Sequence, residues 1–201
     1  MITDWQQEIG IAIQVKQALQ EADTRGVWVH HLPEVAASEA DLRFCEQQLL
    51  HELDLRYRAF LRVANGWKSF YQSVDLFGTG DLIGSGRMQS ARRLLTALDR
   101  RVIADTGCGI SELLPIAASG HDKDLFVIAQ QCSQQAGKVF WFAGEEIDRY
   151  PSFDGYFLAM IEYNRVEVGE LEKLNTGNRS RCSAPARSGG RFAGNSGSCL
   201  V

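Results

Sequence analysis

The sequence predicts a single α+β domain, and three observations carry that reading. Apolar residues recur at helical spacing through most of the first 64 residues. Three strand-like runs between Leu113 and Ala143 are joined by short polar links, which makes the strands antiparallel neighbours because parallel ones need long crossovers. A last apolar stripe at helical period follows them. The chain has 201 residues, the length of one domain at roughly 100–200 residues each, and can bury a sizeable core without disulfides or metals.

Taken in order, Thr3 to Asp23 reads as a helix: Thr3 and Gln6 have capping-box spacing, and Trp5, Ile9, Ala12, Ile13 and Leu19 recur near helical period. Gly26 ends it, Val27-Trp28-Val29 is a short extended piece, and Leu32-Pro33 is a loop. Ser38 caps a second helix with Leu42, Cys45 and Leu49 on one face. Asp54 caps a third, in which Tyr57, Phe60, Leu61 and Ala64 share a face until Asn65-Gly66 stops it. Trp67 to Phe77 is aromatic and β-branched and predicts short strands. Gly78 to Gly86 is expected to be a flexible glycine-rich turn, and Arg87 to Ala104 a helix. The three strands that follow are Leu113 to Ala118, Asp124 to Ala129 and Lys138 to Ala143, and Ser152 caps the final helix. From Asn175 to Val201 the chain is mostly Gly, Ser, Arg, Asn and Ala, too poor in apolar mass to offset its ordering entropy. This tail is expected to be disordered; the alternatives are an expression scar or a shifted reading frame.

Composition narrows the function. Four of the 21 basic residues (Arg179, Arg181, Arg187 and Arg191) and none of the 25 acidic ones lie beyond Leu174. The first 174 residues therefore hold the other 17 basic and all 25 acidic residues, a net charge of −8. An acidic body disfavours nucleic acid and favours basic partners, although many soluble proteins are acidic for solubility alone. The amino terminus has neither a basic start nor an apolar stretch, and no window is long and apolar enough to span a membrane. The five cysteines, Cys45, Cys108, Cys132, Cys182 and Cys199, are scattered and odd in number, as reduced thiols would be. Together these predict a cytoplasmic protein without nucleic-acid or membrane partners.

No catalytic or metal constellation assembles. The Gly78–Gly86 run lacks the Gly-Lys-Ser/Thr of a phosphate loop and has Gly-x-Gly-x-x-x-Gly in place of the dinucleotide spacing. His30, His31, His51 and His121 show no ligand spacing, and adjacent histidines on an extended chain point opposite ways. Cys108 precedes a possible helical turn, but nothing supplies it with a base and an orienting acid, so a structural thiol is the better reading. Trp28, Trp67 and Trp141 are read as packing residues on strands. The sequence calls for no cofactor and no metal.

Acidic residues do collect at strand ends: Asp75, Asp81, Asp122, Asp124, Glu145, Glu146 and Asp148. The default for such residues is solvation, and their functional alternative is a basic protein partner. Asp75, Asp81, Asp122, Asp124, Glu145 and Glu146 are the candidate partner-binding residues. In an antiparallel sheet, the turn after Leu114-Pro115-Ile116-Ala117 and the turn after Trp141-Phe142 lie two strands apart and should share one end, grouping Asp122 with Glu145 and Glu146.

Three stretches also resemble a known family. Asp41-Leu42-Arg43-Phe44-Cys45-Glu46-Gln47-Gln48-Leu49 runs on into Leu55-Arg56-Tyr57-Arg58-Ala59-Phe60-Leu61-Arg62-Val63-Ala64-Asn65-Gly66-Trp67. Leu114-Pro115-Ile116-Ala117 precedes Asp124-Leu125-Phe126-Val127-Ile128, and Gly137-Lys138-Val139-Phe140-Trp141-Phe142 precedes the helix of Phe153 and Phe157. In this order they are similar to the SUKH superfamily, the Smi/Knr-type domain, over about residues 27–172. Glu52-Leu53-Asp54 stands where that family usually has Leu-Pro, and the amino-terminal helix is longer than the family's. The resemblance implies a mostly antiparallel sheet of about five to six strands flanked by helices. Joined to the helix and the tail read above, it gives residues 1–26 as an amino-terminal helix packed on the domain, 27–174 as the domain itself and 175–201 as the tail. It also implies a non-catalytic role: an immunity protein that binds and neutralises a cognate bacterial toxin. The alternative is a regulatory scaffold of the Smi/Knr type with several protein partners.

Overall fold

The computed structural model describes residues 3–182, with side chains through Thr176. Helix α1 spans Trp5–Ala22, α2 Glu39–Leu49 and α3 Leu55–Leu61. Ser38 and Asp41 close a reciprocal capping box on α2, and the Asp54 carboxylate accepts from the Arg56 and Tyr57 amides at the start of α3. Asp4, not Thr3, caps α1 by accepting from the Gln6 and Gln7 amides. The Thr3 hydroxyl instead donates to the Asp154 carboxylate, in the first turn of the last helix.

The sheet is a six-stranded antiparallel meander in chain order, β1 to β6. Its strands are β1 Trp67–Tyr71, β2 Val74–Leu76, β3 Leu113–Ser119, β4 Leu125–Ala129, β5 Val139–Phe142 and β6 Glu146–Tyr150. Strand β6 is not among the sequence-predicted strands. It is an edge strand in which Ile147 is half-exposed and Tyr150 is the one buried residue, so it carries no apolar alternation to announce it. Strands β3 and β4 are buried along their whole length, as strands with both faces covered must be.

Helices α4 Thr79–Leu82, α5 Gly86–Ala97 and α6 Arg100–Asp105 lie between β2 and β3. The single helix expected over 87–104 is two helices. Leu98 is extended (ψ 147°), and the Asp99 carboxylate, accepting from the Arg101 amide at 2.8 Å, starts a new helix there. The glycine-rich run is not a free turn either. Its Thr79 and Leu82 are buried in α4, and a Cβ on Gly78 would sit 2.0 Å from the Asn65 carbonyl oxygen.

Helix α7 spans Phe153–Cys182 and packs along α1. The expected start of the tail at Asn175 falls inside this helix. The Asn175 side chain donates to the Ala22 carbonyl and accepts from the Thr24 hydroxyl, both at 2.9 Å, tying α7 to the end of α1. Residues 183–201, the rest of the expected tail, lie outside the described residues.

The main core is aromatic. Trp5 of α1 lies 5.2–5.5 Å, ring centre to ring centre, from Phe60 of α3 and from Phe153 and Phe157 of α7. Phe157 stacks on Phe70 of β1 at 4.9 Å, and Tyr156 meets Phe126 of β4 at 5.0 Å. Phe126 and its cross-strand neighbour Trp141 therefore mark the α7 face of the sheet. Phe140 marks the other face: the Arg149 guanidinium lies 5.4 Å from its ring centre and reaches the Asp105 carbonyl at the end of α6.

Candidate partner-binding surface

The meander brings three hairpin turns to one end of the sheet: residues 72–73, 120–124 and 143–145. A Cβ on Gly144 would lie 4.0 Å from the Lys123 side chain, so the last two turns are neighbours, as their two-strand separation predicts. Asp122 and Glu145 are exposed in these adjacent turns. Asp122 accepts from the Ser73 hydroxyl at 3.1 Å, and its amide donates to Ser119 Oγ at 2.9 Å.

The other predicted acids are committed elsewhere. Glu146 is held by Arg149 through bonds of 2.5 and 2.8 Å, on the α6 side of the sheet. Asp124 accepts from Trp141 Nε1 at 2.7 Å, on the α7 side. Asp75 accepts from the Ser69 amide at 2.8 Å and pairs with Arg87 at 3.0 Å; Asp81 pairs with the same arginine at 3.2 Å. Alternation across the pleat thus splits the predicted group, and one guanidinium offsets two of its members.

One groove reunites two of the predicted residues. Asp75 and Asp122 both line a groove of about 490 Å³ between β1–β2, the β3–β4 turn and the segment 27–31. Val27 and Val29, each more than half exposed, form its apolar wall; His31, His121 and Lys68 also line it, the last paired with Glu34 at 2.9 Å. The sequence gives no periodic signal for this wall, because residues 27–31 belong to no helix or strand.

A buried polar cluster holds the wall in place. The Asp23 carboxylate accepts from the Val27 and Trp28 amides at 2.9 and 2.8 Å and lies 3.6 Å from His30 Nε2. Burial opposes ionisation of Asp23, but those two amides and His30 together hold it below the usual carboxylate range. Burial and the nearby Lys16 charge push His30 below the usual histidine value, against the pull of Asp23. Lys16 itself, brought down to about 8 by burial, donates to the Ser69 carbonyl at 2.7 Å, and Asn164 donates to that of Phe70 at 3.1 Å. These two side chains occupy carbonyls of edge strand β1. A partner at the groove therefore meets side chains more than an open strand edge.

Of the remaining candidates, Trp28 also lines this groove. Cys45 and Cys108 are buried free thiols and Cys132 is an exposed one. Cys108 Sγ lies 3.3 Å from Ser133 Oγ. Trp67 is buried and donates to the His31 carbonyl; Trp28 and Trp141 are half-buried, and each donates to a carboxylate. Among the described residues, no three of His, Cys, Asp and Glu gather into a group that could hold a metal ion, and no helix is long and apolar enough to cross a membrane.

The residues that carried the resemblance turn out to be architectural. Tyr57 is buried and donates to the Phe77 carbonyl at 2.6 Å. Arg58 pairs with Glu46 at 3.0 Å and Glu39 at 2.9 Å, and Arg62 also reaches Glu39, whose carboxyl is held down to about 2 by the two arginines. Asn65 and Gly66 form the turn that receives Gly78. None of these residues lines the groove between β1–β2 and residues 27–31.

No curated protein matches the chain. A solved structure of a protein from Pseudomonas syringae pv. tomato is similar at 18% identity over 72% of this chain and 93% of its own, with a TM-score of 0.42. The model of the SMI1 / KNR4 family (SUKH-1) matches residues 36–159, more than half of the sequence, and the chain belongs to that family.

Proposed function

We propose that the protein is a non-catalytic immunity protein that binds one cognate protein toxin with a basic surface and blocks it by occupying its active face. Family membership supports a protein-binding role. The observation that carries the finer reading is the groove that joins Asp75 and Asp122 to exposed Val27 and Val29. An apolar wall beside carboxylates suits a loop that brings lysine or arginine together with apolar side chains. Glu145, in the neighbouring turn, extends the negative rim.

The test is co-expression with candidate toxins encoded beside the gene, joined to purification of the complex. Survival of the host, together with a stoichiometric complex whose association slows as salt is raised, is the expected result. A protein that protects against none of those products and forms no such complex would not be an immunity protein.

A further inference from the structure

We propose that a second groove, of opposite charge, docks an acidic segment of a partner protein through an apolar anchor. This groove, of about 380 Å³, lies between the end of α2, the middle of α5 and the start of β3. Leu49, Leu95, Ile110 and Leu113 give it apolar walls, and His51 and Arg92 stand on its polar side. Four other grooves on the surface each have two carboxylates in their lining; this one has none.

Positive charge continues beyond the lining. Arg93 adjoins Arg92, and Arg100 and Arg101 open the next helix; all four are exposed and form no ion pair among the described residues. Among the acids close in sequence, Asp99 caps α6 and Glu112 accepts from the Gly109 amide at 2.6 Å, while Glu52 and Asp105 are exposed, so residues 86–105 hold five arginines against two acids. On a chain of net charge −4, this is a local reversal of sign.

Leu50 supplies the independent observation. It lies between two residues that line the groove, is 91% exposed, and has φ 61° at the end of α2. Glycine or asparagine suits that left-handed position, and a leucine there is strained without burying anything in the fold. An exposed leucine in a strained position beside an apolar groove is suited to contact with a partner. Charge complementarity selects the partner's chemistry: a segment carrying carboxylates on the arginine side and one or two apolar side chains for the groove.

The test uses a fluorescein-labelled, glutamate-rich peptide with two leucines one helical turn apart, titrated with the full chain by fluorescence anisotropy. Saturable binding that weakens with salt is expected, with about a fivefold or greater loss in Leu50→Asn and in Arg92→Glu. Leu50→Asn should melt at or above the wild-type temperature, so its loss of binding cannot be unfolding. Asp122→Lys, at the other groove, should bind the peptide no more weakly than wild type, which keeps this proposal separate from the toxin reading. Absence of saturation, or binding that survives both substitutions, would overturn it. Equal competition by a leucine-free polyglutamate peptide or a single-stranded oligonucleotide would reduce the surface to a general anion patch and overturn it too. A dimer of the chain that Leu50→Asn abolishes would give the groove to a second copy instead.

Discussion

Asn65 holds Thr79 by two hydrogen bonds: its Oδ1 accepts from the Thr79 amide at 2.8 Å, and its Nδ2 donates to the Thr79 hydroxyl at 3.0 Å. The pair joins the end of α3 to the start of α4, and Gly78 passes between them with no room for a side chain. Asn65→Ala leaves a partly buried amide and hydroxyl without their partner, a cost of about 2 kcal/mol. For a chain of this size that is a fall of about 4–8 °C in melting temperature. Gly78→Ala should cost about 3 kcal/mol, because the new Cβ meets backbone that cannot swing aside. Thermal unfolding followed by circular dichroism checks both, and a Gly78→Ala protein as stable as wild type would show that the α3–α4 junction is loose.

Trp5 tests whether α1 is part of the domain, since the family match begins only at residue 36. Its ring touches Phe60, Phe153 and Phe157, so Trp5→Ala opens the middle of the aromatic core. The expected loss is about 3–5 kcal/mol, on the order of 10 °C or more. A loss below about 1 kcal/mol would mean that α1 is an appendage that the domain tolerates losing.

His30 should make stability fall with acidity in a defined window. Its folded value is depressed by burial and by Lys16, opposed by Asp23, with His31 adding a little to the depression. The unfolded chain therefore takes up a proton at His30 near pH ~6.5 before the folded one does, and stability is lost as pH falls below that value. Asp23 works in a lower window: its folded value lies below the usual carboxylate range, so its contribution is lost only as pH drops under about 4. Melting temperatures at pH 7.5 and 5 should differ for the wild type and differ less for His30→Phe. Equal slopes would place the acid sensitivity elsewhere.

Asn175 makes a cut after Leu174, at the expected start of the tail, costly to stability. Such a cut removes the amide that bonds to Ala22 and Thr24 and closes the end of α1. The expected cost is about 1–2 kcal/mol, or roughly 2–8 °C, and Asn175→Ala should reproduce most of it. A cut chain that melts with the wild type would mean that the α1–α7 contact is held by its apolar face alone.

The helices with caps and apolar stripes were legible, because Ser38–Asp41 and Asp54 act locally and in the way their spacing suggests. So were β3 and β4, whose apolar runs are buried along their whole length, and β5, buried except at Trp141. Strand β6 was not, because an edge strand bonded on one side can be Glu-Ile-Asp-Arg-Tyr and still pair. The common end of the turns at Asp122 and Glu145 followed from strand counting, which is topology. The fate of each carboxylate did not, because Arg149 and Arg87 reach Glu146, Asp75 and Asp81 through pairings that depend on pleat direction and on α4 and α5 packing. The groove wall was invisible for a third reason: Val27 and Val29 are presented by a loop that hangs from Asp23, and no period marks it.

These partners also decide which charge reversals are informative. Reversing Asp122, Glu145 and Glu146 together would mix two effects, since Glu146 is bound twice by Arg149 while Glu145 is exposed in the turn. The useful comparison is the double variant Asp122→Lys with Glu145→Lys against Glu146→Lys alone. The double variant gives up one hydrogen bond from Ser73 at an exposed site, so its stability should stay within about 1 kcal/mol of wild type. Its complex with a basic partner should weaken by about 2 kcal/mol or more if either carboxylate is paired at the interface, and its association rate should lose much of its salt dependence. Glu146→Lys sets two like charges side by side on β6 and should lower the melting temperature while leaving affinity within about threefold of wild type, the behaviour of a residue outside the contact. Isothermal titration and stopped-flow kinetics on the three proteins separate the outcomes. If Glu146→Lys weakens binding more than the double variant does, the partner sits on the α6 side of the sheet, not at the groove of Asp75 and Asp122.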